Sequence, residues 1–155
     1  MSGGFKLGVI SDTHGLLRPE AVSALQGVDQ IIHAGDIGSL ELLDELRRIA
    51  PVKVVRGNTD DEKWARSIPR TDILVLDEVR LFLIHNLADM KFDPRAEHFS
   101  AVICGHSHVP RSETRDGVLF FNPGSAGPRR FRHPVALGFL FIRGESVTGE
   151  IRIFV

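Results

Sequence analysis

The sequence has a single cysteine, Cys104, no tyrosine and one tryptophan among 155 residues. One thiol excludes an intrachain disulfide, and with it the disulfide-stapled folds and any four-cysteine zinc site. No apolar stretch approaches the ~18 residues that a membrane span requires. The opening MSGGFKLGVI carries too short an apolar run for an export signal. Charge of one sign is not in excess either: 19 basic against 20 acidic residues leave a net charge of −1. That balance argues against a dedicated nucleic-acid-binding protein or an anionic-membrane binder. There is no internal repeat, low-complexity segment or linker-like stretch. With 43% hydrophobic and 25% charged residues, the expectation is one ordinary globular domain over residues 1–155 in the cytoplasm. The one surplus is histidine, with 7 residues.

The first 60 residues read as alternating strands and helices. Lys6–Ser11, Gln30–Ala34 and Val52–Arg56 are apolar runs of strand length. Arg18–Gln26, with Pro19 near its start and Gly27 past its end, reads as a helix. Ser39 is a plausible N-cap for a second helix, with Leu42, Leu43, Leu46 and Ile49 on one apolar face. Such β-α-β-α-β order implies parallel strands joined by right-handed crossovers. Downstream, Ile73–Asp77 and Arg80–His85 flank a tight turn, and Asp93–Phe99 reads as a short helical segment before Ala101–Cys104. The last third is strand-rich: Val118–Asn122, Val135–Ile142 and Val147–Val155, with Ile151, Ile153 and Val155 alternating against polar neighbours. Two sheets packed face to face with helices outside are expected, the first mostly parallel and the second mostly antiparallel.

Five polar clusters sit where five apolar runs end. They are Asp12-Thr13-His14, Gly35-Asp36, Gly57-Asn58-Thr59-Asp60, His85, and Gly105-His106-Ser107-His108. Each alone is a weak signal, since D-x-H or H-x-H arises by chance and Gly-Asp or Gly-Asn is an ordinary turn. Together they bring donors to one rim, because ligands of open α/β sheets bind outside the carboxyl ends of the strands. Imidazole and carboxylate without thiolate suit Mn, Fe, Zn, Ni or Co. Seven donors exceed one tetrahedral ion and match two ions that share a carboxylate. Such a pair can activate a bridging hydroxide and clamp the oxygens of an in-line phosphoryl displacement. Elsewhere plainer readings hold. His33, inside a strand, is packed and hydrogen-bonded; His98 is solvated; Cys104 packs as a small hydrophobe. The run Asp60-Asp61-Glu62-Lys63 is mostly a solvated helix start.

This set of motifs resembles the calcineurin-like metallophosphoesterases, and Asn122-Pro123-Gly124-Ser125 resembles the N-P-G-S turn of their small single-domain prokaryotic branch. The resemblance implies a four-layer α/β/β/α sandwich of two mixed sheets flanked by helices. It also implies a phosphodiesterase using two divalent metal ions, manganese foremost, with Fe, Ni, Zn or Co as alternatives. Carried over position by position, it makes Asp12, His14, Asp36 and His108 ligands of one ion. Asp36, Asn58, His85 and His106 become ligands of the other, with Asp36 bridging. Asp36, Asn58, Asp60 and His106 are then the catalytic set, with Asn58 also binding substrate. Separately, Arg129 and Arg130 after Asn122–Gly127 read as substrate-binding because arginine forks match phosphate oxygens, or else as an exposed charged loop that keeps the protein soluble. Two divalent ions with two aspartates and one hydroxide leave about one net positive charge, which matches a singly charged phosphodiester.

Two positions depart from the pattern. Thr59 stands where many members have a histidine that assists at the leaving group, while its acidic partner position is kept by Asp60. Losing a positioned acid typically removes about 10²–10⁴-fold in rate, so a modest enzyme favouring good leaving groups is expected. Asn86 follows the strand-end His85 where glycine is usual; asparagine tolerates the left-handed region better than most residues, so the turn is expected to survive. Arg56 is read as structural or paired with a carboxylate. The expected partner is a small phosphate-ester substrate, with room for a homo-oligomer. The rival readings are a phosphomonoesterase acting on a nucleotide or sugar phosphate, and a non-catalytic protein-interaction scaffold like one eukaryotic retromer subunit of this fold. In that lineage the ligand positions are degraded, whereas all seven stand here.

Overall fold

Alternating apolar positions sort each strand between two environments, and that sorting builds the architecture. The computed structural model describes residues 3–154; Met1, Ser2 and Val155 of the expected domain, the last at the end of the expected final strand, lie outside the described residues. In chain order the first elements are β1 (Phe5–Ile10), α1 (Pro19–Ala24), β2 (Gln30–His33), α2 (Leu40–Arg47) and β3 (Val52–Val54). Then come β4 (Thr71–Leu76), β5 (Val79–Ile84), β6 (Ala101–Ile103), β7 (Arg111–Arg115), β8 (Val118–Asn122), β9 (Val135–Arg143) and β10 (Ser146–Phe154). One sheet has the order β10-β9-β1-β2-β3 and the other β4-β5-β6-β8-β7.

Leu7 and Val9 of β1, Ile32 of β2, Leu81 and Leu83 of β5, Ile103 of β6 and Phe121 of β8 meet between the sheets. The opposite face of the first sheet, with Ile10, Ile31 and Phe139, is covered by Ala21 and Leu25 near α1 and by Leu42, Leu43 and Leu46 of α2. Each leucine or isoleucine fully buried this way contributes roughly 1.5–3 kcal/mol. α2 begins as expected at Ser39, whose Oγ accepts the Leu42 N–H at 3.3 Å. The outer face of the second sheet, with Phe82, Ile84, Val102 and Cys104, is covered by Phe99 and by Leu87 and Met90 around a 3-10 turn. The α/β sandwich of two mixed sheets is therefore as expected, but its fourth layer is thin. Residues 94–98, inside the expected helical segment, form turns instead.

The second sheet is not mostly antiparallel. β5, β6 and β8 run parallel, with β4 and β7 antiparallel at its edges. The first sheet has the same balance, because β9 of the C-terminal third returns to pair antiparallel with β1 and carries β10 with it. β7 has no apolar alternation to betray it: all five of its residues are exposed. No helix among the described residues is long and apolar enough to cross a membrane.

Candidate metal centre

All five polar clusters leave the carboxyl ends of parallel strands, from β1, β2 and β3 in one sheet and β5 and β6 in the other. Beyond the sheet, the loops after β1 and β2 continue to pair: the N–H groups of Asp12, His14 and Gly15 donate to the carbonyls of Gly35, Asp36 and Ile37 at 2.8–2.9 Å. The chain turns sharply at five of the seven donors. Asp12, His14, Asp36, His106 and His108 all have φ between 46° and 72°, a region non-glycine residues seldom occupy. Strain of about 1–3 kcal/mol at each such residue persists only where surrounding contacts enforce it. At Gly105 the contact is so close that a Cβ would lie 2.1 Å from Ser11 Oγ and 2.8 Å from Asp12 Oδ2.

Asp12, His14 and His108 bring ligand atoms within 4.8 Å of one another, and so do Asp12, Asp36 and His85. His108 Nε2 lies 3.3 Å from Asp12 Oδ1. Asp12 belongs to both groups, and Asp36 Oδ2 of the second also reaches the first, 3.7 Å from His14 Nε2 and 3.3 Å from His85 Nε2. Asn58 Oδ1 completes the second group, 3.0 Å from His85 Nε2 and 3.2 Å from His106 Nδ1. Asp12, Asp36, His85 and His108 are buried, whereas Asn58 and His106 are exposed at the mouth. The seven ligand candidates are thus brought together.

The donor set fits cations. His85 Nδ1–H donates to the Ala34 carbonyl at 2.7 Å, so Nε2 faces three acceptors, Asn58 Oδ1, Asp36 Oδ2 and Asp12 Oδ1, with a lone pair when the ring is neutral and with an N–H when it is protonated. Such a convergence of acceptors needs a proton or a cation at its centre. Asp12 Oδ1 and His14 Nε2 are buried with no hydrogen-bond partner, a costly state for groups not held by an ion. The electrostatics agree. Burial pushes Asp12 up against the charges of His85 and His108, leaving it above its usual value. Burial opposes ionisation of Asp36 too, but hydrogen bonds from His85 and the Thr59 N–H hold it well below the carboxylate range. Burial would lower His85, yet the Asp36 hydrogen bond and the two carboxylate charges raise it. His108 is lowered by burial and by the charge of Arg130, despite Asp12.

Other candidates fall differently. Asp60 does not face the mouth. Its Oδ1 accepts the N–H groups of Ile37 at 2.9 Å and Gly38 at 3.3 Å, and its Oδ2 accepts those of Gly57 at 2.9 Å and Ile37 at 3.1 Å. The carboxylate therefore clips the loop after β2 to the loop after β3. Asp60→Ala leaves the buried Ile37 and Gly57 amides unpaired, so unfolding in urea is expected at a stability lower by about 2–3 kcal/mol. Arg130 is near enough for its charge to act on His108, while Arg129 is exposed and makes no hydrogen bond or ion pair among the described residues. Asn86 is extended, with φ −110°, and its Oδ1 accepts the Ala88 N–H at 3.1 Å. Since that conformation is open to any residue, the turn makes no demand for glycine or for a tolerance of the left-handed region. Arg56 has no carboxylate partner among the described residues, and its Nε is buried without a hydrogen bond. The plainer readings of His98 and Cys104 stand: His98 is exposed, and burial pushes the Cys104 thiol up to about 11, leaving it inert.

Of the supporting residues, Ser11 has no signal of its own in the sequence, and Asn122 and Ser125 have that of the N-P-G-S turn. Ser11 Oγ donates to Asp12 Oδ2 at 2.7 Å. Asn122 Nδ2 donates to the Gly105 carbonyl at 2.9 Å and to Ser107 Oγ at 3.0 Å, and Ser125 Oγ donates to the Asp12 carbonyl at 3.1 Å. The N-P-G-S turn thus ties the loop after β6 and the loop after β1 together from below.

Comparison with known proteins gives the same direction. The model of the calcineurin-like phosphoesterase superfamily domain matches residues 5–144. A probable metallophosphoesterase of Methanothermobacter thermautotrophicus is 34% identical over 157 residues, covering 94% of this chain and 90% of that protein. Phosphodiesterase YfcE of Escherichia coli is 30% identical over 162 residues, covering 87% of this chain and 86% of its own. Vps29 of Chaetomium thermophilum superposes with a TM-score of 0.79 at 20% identity over 97% of this chain and 98% of that one, a likeness of fold alone.

Proposed function

Because the chain belongs to the calcineurin-like phosphoesterase superfamily, we propose that it is a dinuclear-metal phosphodiesterase acting on a small phosphate diester. The observation that carries this reading is that two groups of ligand atoms meet, with Asp12 in both and Asp36 Oδ2 within reach of a histidine of each, 3.7 Å from His14 and 3.3 Å from His85. When bound, two divalent ions, manganese foremost, supply Lewis acidity at the phosphoryl oxygens and a nucleophilic water at neutral pH. Asp12, His14, Asp36 and His108 would hold one ion, and Asp36, Asn58, His85 and His106 the other. The protein's own part is orientation. The Ala34 carbonyl sets the His85 tautomer, Ser11 and the His106 N–H fix the Asp12 carboxylate, and Thr59 N–H fixes Asp36. Asn58 and His106, exposed at the mouth, meet the ester, with Arg130 as a further cation beside His108. Asp60 acts by holding the loops that carry Asp36 and Asn58.

Thr59 is exposed and offers no acid for the leaving group, so activated esters are favoured. Thr59→His is expected to improve phenyl over nitrophenyl esters by less than about ten-fold, far short of a positioned acid. Asp60, its oxygens taken by backbone amides, is not free to orient the new ring. Comparing kcat/KM for the two esters measures this; a gain beyond a hundred-fold would contradict it.

The primary test is hydrolysis of bis(p-nitrophenyl) phosphate by manganese-loaded protein, with chelated protein, Asp36→Asn and His106→Ala as controls. Chelation is expected to abolish turnover and added metal to restore it. A wild-type protein that binds no metal and hydrolyses neither diester nor monoester would overturn the reading and favour the scaffold. Preference for p-nitrophenyl phosphate would favour the phosphomonoesterase.

A further inference from the structure

We propose that the cleft between Arg56 and Arg70 binds a second phosphate group, carried on the arm of the substrate that extends away from the metal centre. The inference rests on the phosphodiesterase reading and deepens it. The cleft has a volume of about 310 Å³, and Asn58 and His85 of the candidate centre form part of its wall beside both arginines. The Arg56 N–H donates to the Pro69 carbonyl at 2.8 Å, which holds the two arginine-bearing segments side by side.

Neither guanidinium is neutralised. Among the described residues, no carboxylate lies within ion-pairing distance of Arg56 or Arg70, and the Arg56 Nε is buried with no acceptor. Asp72, the acid nearest in sequence to Arg70, is engaged by Lys53 at 3.3 Å. Asp89 also lines the cleft but pairs with neither arginine. Two positive charges therefore stand against one negative charge. A buried guanidinium N–H without an acceptor is costly, and the planar fork of arginine matches phosphate oxygens two at a time. The amide of Asn86, whose oxygen is spent on Ala88 N–H, adds a further donor.

Thymidine 5′-(p-nitrophenyl phosphate) and its 3′-phosphorylated counterpart differ only in the second phosphate. For the manganese-loaded protein, kcat/KM is expected to favour the 3′-phosphorylated ester by about ten-fold or more, as charge-assisted hydrogen bonds allow. In the Arg56→Gln/Arg70→Gln double variant the ratio should fall to about one. Arg70→Glu, at an exposed position, gives the same readout should changes at Arg56 impair folding. Calorimetry with thymidine 3′,5′-bisphosphate against thymidine 5′-phosphate should give a matching difference in affinity. No preference in the wild type, or a preference that survives in the variants while both rates fall together, overturns the proposal. An affinity preference that the variants abolish, with neither ester hydrolysed, supports the cleft and overturns the phosphodiesterase reading. Hydrolysis of both esters without preference overturns the cleft alone.

Discussion

Asp36→Asn is expected to lower kcat/KM for bis(p-nitrophenyl) phosphate by at least about 10³-fold and to reduce bound metal from two ions per chain toward one. The carboxylate is positioned at both ends. Oδ1 accepts the Thr59 N–H at 3.0 Å, and Oδ2 faces both His14 and His85. Its pKa lies well below the usual range, so it is ionised throughout the working pH range. Asparagine keeps the shape but loses the charge that would offset the two proposed cations, and its amide offers one oxygen where Asp36 uses two, one on the Thr59 N–H and one facing His14 and His85. Removing one positioned catalytic group costs about 10²–10⁴-fold, and a lost Lewis acid adds several kcal/mol to the barrier. The measurement pairs steady-state kinetics with metal analysis of the same sample. An Asp36→Asn protein that retains two ions and turns over within ten-fold of wild type would remove Asp36 from the bridging role.

The seven ligand candidates were legible in the sequence because each combines a metal-binding residue type with a place directly after a buried apolar run. Strand ends are where a parallel sheet presents side chains, so type and place together carried the signal. Asp60 illustrates what local pattern does not carry. Its position after Gly57-Asn58-Thr59 pointed to chemistry, yet its acceptors are consumed by the N–H groups of Ile37 and Gly38, set by how the β2 and β3 loops meet. Arg56 is a similar case. The reading is a structural residue or one paired with a carboxylate; the side chain has no carboxylate partner among the described residues, and its backbone N–H is held by the Pro69 carbonyl, a contact set by how the segments after β3 and before β4 meet. The sheet partnership of β9 was hidden for another reason. A buried apolar strand fits either sheet equally well, and only the closure of the sandwich assigns it to β1.

His33 yields the second large effect, in stability against pH. Its ring is wholly enclosed, with Nδ1 accepting the Gly35 N–H at 3.0 Å and Nε2–H donating to Thr13 Oγ1 at 2.9 Å. Thr13 Oγ1 in turn donates to the Ile37 carbonyl at 2.7 Å. Every polar atom of the neutral ring is satisfied, and a proton on Nδ1 would face an N–H donor. Burial, aided by the charge of His85, lowers its pKa to about 3. In the unfolded chain the ring takes up a proton near pH 6.5, while the folded protein refuses it until about 3. The unfolded state therefore binds more protons across that window, and stability is full above pH 6.5 and lost as pH falls. At about 1.4 kcal/mol per pH unit, the loss reaches nearly 3 kcal/mol by pH 4.5. His33→Gln removes the titration; it is expected to be less stable than wild type at pH 7 but to lose less on acidification, by about that amount. Urea unfolding of both chelated proteins at pH 7 and 4.5 isolates the difference, since chelation removes the separate pH dependence of metal release. Parallel losses in the two proteins would mean that His33 is not held neutral by its surroundings, and the hydrogen-bond chain from Gly35 through Thr13 to Ile37 would then lose its role in fixing the loops that carry Asp12 and Asp36.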